Sequence, residues 1–311
     1  MPLPQTLSAR RAVKLAACLL AGCAWATASA GQSDGVCARS TKDGTKACTA
    51  SANAGYALAI GMCANITDRG TKAGCIAKAQ TVLAKDQKFC AAQTSARTKV
   101  CTEMGAGAYD PVINPADFGY PITNQWLPMI PGTTFTYTVP NGLNTVKITL
   151  KTQKLLGIDC VVVEDVVVVD GQQEESTLDY FTQDKYGNVW YFGEDTQQKM
   201  NGRISGLVGS WRAGVHGAKP GIIMEADPRH EDAYRQEFLL GTAEDSAEVV
   251  NFDNKVSVPY GTFHNAMKTL EFSGLEPGSK ENKYYVPGIG NVLVVDLVTG
   301  ERDELVSVVQ K

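Results

Sequence analysis

The chain has few of the side chains that most enzymes use for acid–base or metal chemistry. Its 311 residues include three histidines, His216, His230 and His264, and no two stand at a ligand spacing such as H-x-H or H-E-x-x-H. His230-Glu231-Asp232-Ala233-Tyr234 begins like a zinc-binding helix but has Tyr234 where the second histidine belongs. No C-x-x-C occurs, which removes the thioredoxin-like redox motif. No G-x-S-x-G sequence presents a nucleophilic serine, and Gly105-Ala106-Gly107 opens no phosphate-binding helix. Beyond residues 1–30 no run is long and apolar enough to span a bilayer. Helical patterns do not alternate with strands, which excludes Rossmann and TIM architectures. No catalytic, metal-ligating or cofactor-binding residue is assigned, and no cofactor is expected.

What the chain does have is cysteine in an ordered array. Cys37, Cys48, Cys63, Cys75, Cys90 and Cys101 are symmetric about Arg69. Two antiparallel helices folded at that point place Cys37 against Cys101, Cys48 against Cys90 and Cys63 against Cys75. The spacings of 11 and 15 residues along the first arm are near whole numbers of helical turns. The same pairing sets Ala59 against Ala79 and Gly55 against Leu83, small enough for the short Cα separation a disulfide demands. The stretch is rich in Ala, Thr, Lys and Gln, so it has almost no core of its own. Disulfides contributing ~2–4 kcal/mol each replace one. Each arm is roughly 40 Å long at helical rise. The reading is a rigid brace in an oxidising compartment.

Residues 1–30 read as an export signal, with Arg10, Arg11 and Lys14 before a short apolar core from Leu15 to Leu20. Two cleavage readings stand side by side. Leu20-Ala21-Gly22-Cys23 matches a bacterial lipobox, which would acylate Cys23, whereas Ala28-Ser29-Ala30 fits ordinary signal peptidase. The expected location is the periplasm, an outer-membrane lipid anchor or the exterior.

Residues 31–105 form the hairpin, 106–132 a Pro/Gly-rich linker, and 133–311 an antiparallel β domain. The hairpin carries 10 Lys/Arg against 5 Asp/Glu, and residues 106–311 carry 16 against 28. Export and this acidity argue against nucleic acid as a partner. From Thr133 onward, alternating segments such as Thr134 to Val139 and Val146 to Lys151 recur about every ten residues, with turns at Pro140-Asn141-Gly142 and Asp170-Gly171. The fold class is α+β: a disulfide-laddered α-hairpin followed by an all-antiparallel sheet, whether curved sheet, half-barrel or sandwich. Cys160, between Asp159 and Val161, reads as a buried free thiol.

Tyr180, Phe181, Trp190, Tyr191 and Phe192 flank the Gly187 turn and belong on adjacent strands. Core packing accounts for them; if they line a ligand cavity, alternation lets only about half face it. The pairs Glu174-Glu175 and Glu194-Asp195 point to opposite faces in the same way and read as edge or turn residues.

Tyr109-Asp110-Pro111, Pro131-Gly132-Thr133-Thr134-Phe135-Thr136-Tyr137 and Gly187-Asn188-Val189-Trp190-Tyr191-Phe192-Gly193-Glu194-Asp195 resemble a family of uncharacterised exported bacterial proteins and lipoproteins. Lys219-Pro220-Gly221-Ile222-Ile223-Met224 and Tyr285-Val286-Pro287-Gly288-Ile289-Gly290 extend the resemblance across nearly the whole mature chain, and it implies no catalytic residues. More distantly, Tyr285-Val286-Pro287-Gly288-Ile289-Gly290 is similar to a strand of envelope lipoproteins with half-barrels, which implies a concave apolar surface. The expected function is non-enzymatic binding or scaffolding in the envelope, with an apolar ligand or another envelope protein as partner. Membrane contact is expected only through a lipid on Cys23. One alternative is a secreted hydrolase using carboxylates or His216; another is a periplasmic copper carrier using His216, Met224 or Met267.

Overall fold

The computed structural model describes residues 35–119 and 121–310. The export signal, both cleavage readings and Cys23 lie outside the described residues. The described chain forms two units, helical up to Ala108 and β from Tyr109.

The helical unit pairs α1 (Val36–Ala64) with α2 (Arg69–Met104). Asp68 starts α2, its side chain accepting from the Thr71 N–H at 2.7 Å and so satisfying one of the first-turn amides. Cys37–Cys101, Cys48–Cys90 and Cys63–Cys75 cross-link the helices, each with Cα atoms 5.7 Å apart. Between the bridges the contact is small or polar. Thr45 and Thr94 share a hydroxyl hydrogen bond of 2.6 Å across the helices, Thr41 meets Cys101 Sγ, and Gln93 and Arg97 are buried. Leu58, Met62, Val82 and Phe89 are exposed. Covalent links hold this unit where apolar burial does not. At its open end Ala106 O accepts from Cys37 N, and the carbonyl comes so close that a Cβ on Gly35 would sit 2.7 Å away.

The β unit holds a sixteen-stranded antiparallel sheet. Its first half comprises β1 (Phe118–Gly119), β2 (Thr133–Val139), β3 (Gly142–Leu155), β4 (Ile158–Val169), β5 (Gln172–Asp184), β6 (Val189–Met200), β7 (Arg203–Gly206) and β8 (Trp211–Arg212). The second comprises β9 (Lys219–Met224), β10 (Ala233–Arg235), β11 (Glu237–Phe238), β12 (Asp245–Val258), β13 (Gly261–Ser273), β14 (Lys280–Val286), β15 (Gly290–Asp296) and β16 (Arg302–Gln310). Asp170 and Gly171, both at positive φ, make the β4–β5 turn as their residue types predict.

Two seams curl this sheet into a nearly closed barrel. The last strand returns to the first long one, pairing Leu305 with Tyr137 and Gln310 with Thr133. On the far side, residues 233–238 pair with β12 through β10 and with β9 through β11. The ends of the sheet path are therefore one continuous stretch of chain. Gly221 permits this approach, since a Cβ there would lie 2.3 Å from the Gln236 carbonyl carbon. Tyr109 seals the seam, its hydroxyl on Pro220 O at 3.0 Å and its ring edge-on to Phe238.

The segment 106–132, expected as a linker, is mostly part of the β unit. β1 pairs with β5, and Ile122 and Met129 are buried. Residues 121–131 cross one end of the barrel. Asn124 donates to Gly187 O and Glu225 O, both at 2.9 Å, while Gln125 O accepts from Gly288 on the opposite wall. Gly105, at φ 101, ends α2, and apolar side chains among the following prolines bind the chain to the barrel. Cys160 is free and fully buried, and burial pushes its thiol up to about 12.

Candidate functional site

The interior of the barrel is a cavity of about 360 Å3 with a mixed lining. At the capped end lie Leu127, Pro128, Met129 and Ile289. Phe181 and Tyr191 follow, stacked at 4.8 Å between centroids, with Trp211 edge-on to Tyr191. Farther from the cap the wall turns acidic.

Strand parity sets this wall. On β4, Val161, Val163 and Asp165 share the inner face, so the pleat that buries two valines also turns Asp165 inward. Val163 pairs with Asp179 of β5, which pairs with Glu194 of β6. Glu194 reaches the lumen because β6 carries a bulge: Phe181 pairs with Tyr191, Tyr180 with Gly193, and Phe192 is the extra residue. Tyr191 and Glu194, which strict alternation would separate, therefore both face inward. Gly193 allows β8 to pack there, because a Cβ would meet Trp211 O at 2.5 Å.

The Tyr191 hydroxyl donates to Asp179 Oδ1 at 2.6 Å, and Thr196 donates to Glu194 Oε2 at 3.1 Å. Glu237 enters from the closing segment, Asp245 from β12, Glu271 from β13 and Asp303 from β16. Among the described residues seven carboxylates thus line the cavity against one cation, Lys283. Lys283 lies 2.6 Å from Glu271 and 3.2 Å from Glu281, so its charge is already matched.

Burial in a low-dielectric lumen raises the proton affinity of four of these acids, Asp179, Glu194, Glu237 and Asp245. Burial, then the charges of Asp165 and Glu194, lifts Asp179 well above the usual carboxylate range. Burial, then Asp245 and Glu194, does the same for Glu237. Burial raises Glu194 to about 7, and withdrawal from bulk water raises Asp245 to about 6, although Asp245 keeps an accessible face on the cavity. Three amides add unmet hydrogen-bonding capacity. Asn144, Gln236 and Asn291 line the cavity, and Asn144 Oδ1, Gln236 Nε2 and Asn291 Nδ2 are buried without a partner among the described residues. Gln236 is 3% exposed and Asn144 8%.

The five sequence-selected aromatics divide by face. Phe181 and Tyr191 line the cavity, and Tyr180, Trp190 and Phe192 do not. Tyr180 donates to Asp195, which Arg212 grips with two nitrogens. Trp190 donates to Asp184 at 2.9 Å, and Phe192 is fully buried against Phe118. Glu194 and Asp195 take opposite faces, as alternation requires, yet Glu194 is a lumen residue rather than an edge residue. His216, His230 and His264 are exposed and off the cavity, while Met224 and Met267 are fully buried. Among the described residues no three His, Cys, Asp or Glu side chains are placed to hold a metal ion. The lumen carboxylates escaped the sequence reading, although the signal was there: acids on the same parity as buried valines.

In comparison with known proteins, no family model, curated relative or solved structure matches this chain.

Proposed function

We propose that this is a non-enzymatic, exported binding protein whose ligand site is the barrel lumen. The carrying observation is the cavity of about 360 Å3, with an aromatic floor and an acidic wall. The three disulfides place the chain in an oxidising environment, and the signal-like N-terminus supports export to the envelope, as a lipoprotein through Cys23 or as a soluble protein. Among the described residues no helix is long and apolar enough to cross a membrane. The acidic lining argues for a polar or charged ligand with apolar parts, in place of the purely apolar one expected from the aromatics. Within this reading the helical unit is a rigid brace.

Native mass spectrometry of the exported protein tests the site. A low-mass adduct should appear and should disappear in Val163→Phe, which fills the lumen, while Trp190→Leu on the outer face retains it. Equal adducts in all three proteins would place any bound molecule elsewhere and remove the proposal.

A second reading, a carboxylate hydrolase, is favoured by Glu194, raised to about 7 across the strand pair from Asp179. It uses the lumen acids and not His216, which is exposed off the cavity. Turnover abolished by Glu194→Gln with ligand binding retained would promote it.

A further inference from the structure

Resting on the lumen as the binding site, we propose that its ligand is a compact organic polycation: a linear di- or triamine with ammonium groups among Asp179, Glu194 and Glu237 and methylene segments on Phe181 and Tyr191. Three independent observations converge on this class.

Charge is the first. The largest charges acting on Asp179 are those of Asp165, Glu194 and Glu175, and the largest acting on Glu237 are those of Asp245 and Glu194, all negative. The hydrogen bonds given to Asp179 by Tyr191 and to Glu194 by Thr196 come from neutral hydroxyls. Lys283 is paired with Glu271 and Glu281, and its charge also acts on Asp245. A single ammonium would leave a surplus, whereas two or three would match the cluster.

The second observation is unmet polar capacity. Asn144 Oδ1 is a buried acceptor without a donor among the described residues, and an ammonium N–H is what it lacks. Gln236, buried on the closing segment, has an unmet donor in Nε2, as Asn291 has in Nδ2, and these two call for an acceptor such as water beside the ligand. Unpaired polar groups at this depth are costly unless a ligand or water satisfies them.

Size and shape are the third. A space of about 360 Å3 holds about a dozen water-sized groups, and a linear triamine of about ten heavy atoms falls inside that limit. The stacked Phe181–Tyr191 pair offers methylenes an apolar surface and a nearby ammonium a negative π face. Carboxylates spread round the wall suit an elongated polycation better than a metal ion, for which no cluster is placed among the described residues.

Isothermal titration with spermidine, putrescine, maltotriose and the neutral probe N-phenylnaphthylamine tests this on the full exported chain. Spermidine should bind most tightly, weaken with salt, and release protons at neutral pH, seen as a heat that varies with buffer ionisation enthalpy. Asp179→Asn and Glu194→Gln should each weaken spermidine by roughly tenfold, and Glu174→Gln on the outer face should not. Proton release on the unaltered protein is independent of whether any variant folds. Maltotriose or N-phenylnaphthylamine binding without spermidine binding would overturn the polycation and leave the lumen reading standing. Silence of all four probes would count against both. Spermidine binding unchanged by both lumen variants would assign it to the acidic exterior and overturn the proposal.

Discussion

Glu194→Gln should stabilise the ligand-free β unit at alkaline pH and leave it unchanged in acid. In the folded lumen Glu194 holds its proton up to about 7, against 4.5 for an ordinary glutamate, because burial disfavours its charged form. Between those values the folded state binds more protons than the unfolded chain, so stability falls as pH rises through the window. Each unit is worth about 1.4 kcal/mol, so the rise sets an upper bound of about 3 kcal/mol lost between pH 4 and 8. Glu194 is only half-buried, and solvent screening lowers the expected figure to about 1–2 kcal/mol. Glutamine keeps the shape and carries no charge, which removes the loss. Urea titrations followed by tryptophan fluorescence at pH 4.5, 6 and 8 read the effect. Trp126, Trp190 and Trp211 all lie in the β unit, so its transition is seen separately from the helical unit. The difference between variant and parent should grow from near zero to its maximum across that range. A variant less stable at pH 8, or a parent gaining stability from pH 5 to 8, would refute the reasoning.

Other outcomes follow from the same structure. Reduction of Cys37–Cys101, Cys48–Cys90 and Cys63–Cys75 should cost ~2–4 kcal/mol per bridge and lower helical circular dichroism. The near-ultraviolet tryptophan signal should persist; joint loss of both would show one cooperative unit. Phe192→Ala, at a fully buried position against Phe118, should destabilise the β unit by ~3–5 kcal/mol in chemical denaturation. A cost under about 1 kcal/mol would contradict its packing. Cys160 should resist thiol reagents in the native protein and react on unfolding, since it is buried and its thiol is held up at about 12. Fast native labelling would contradict that placement.

The hairpin was legible in the sequence because its geometry is local. Helical rise and a single fold point settle which cysteines meet, so spacing alone yields the three pairs. Strand existence was legible for a similar reason: alternation at Thr133–Val139 or Gly142–Leu155 is a two-residue pattern that needs no distant partner. Alternation also implied that the aromatic run would split between faces, as Phe181 and Tyr191 do from Tyr180 and Trp190. It left open which face would be the interior, because a strand's two sides are equivalent until the sheet curls. Closure decided that, through β16 against β2 and residues 233–238 bridging β12 to β9. Those contacts join residues more than a hundred positions apart or depend on a bend at Gln236, and no local period carries them. The acidic lumen is a product of closure: Asp165, Asp179, Glu194, Glu237 and Glu271 come from five separate strands. Sequence determined the total acidity of the β unit and the parity of each acid on its strand. Only the tertiary structure decided that they face one another across one cavity, where burial first and neighbouring charge second raise Asp179 and Glu237.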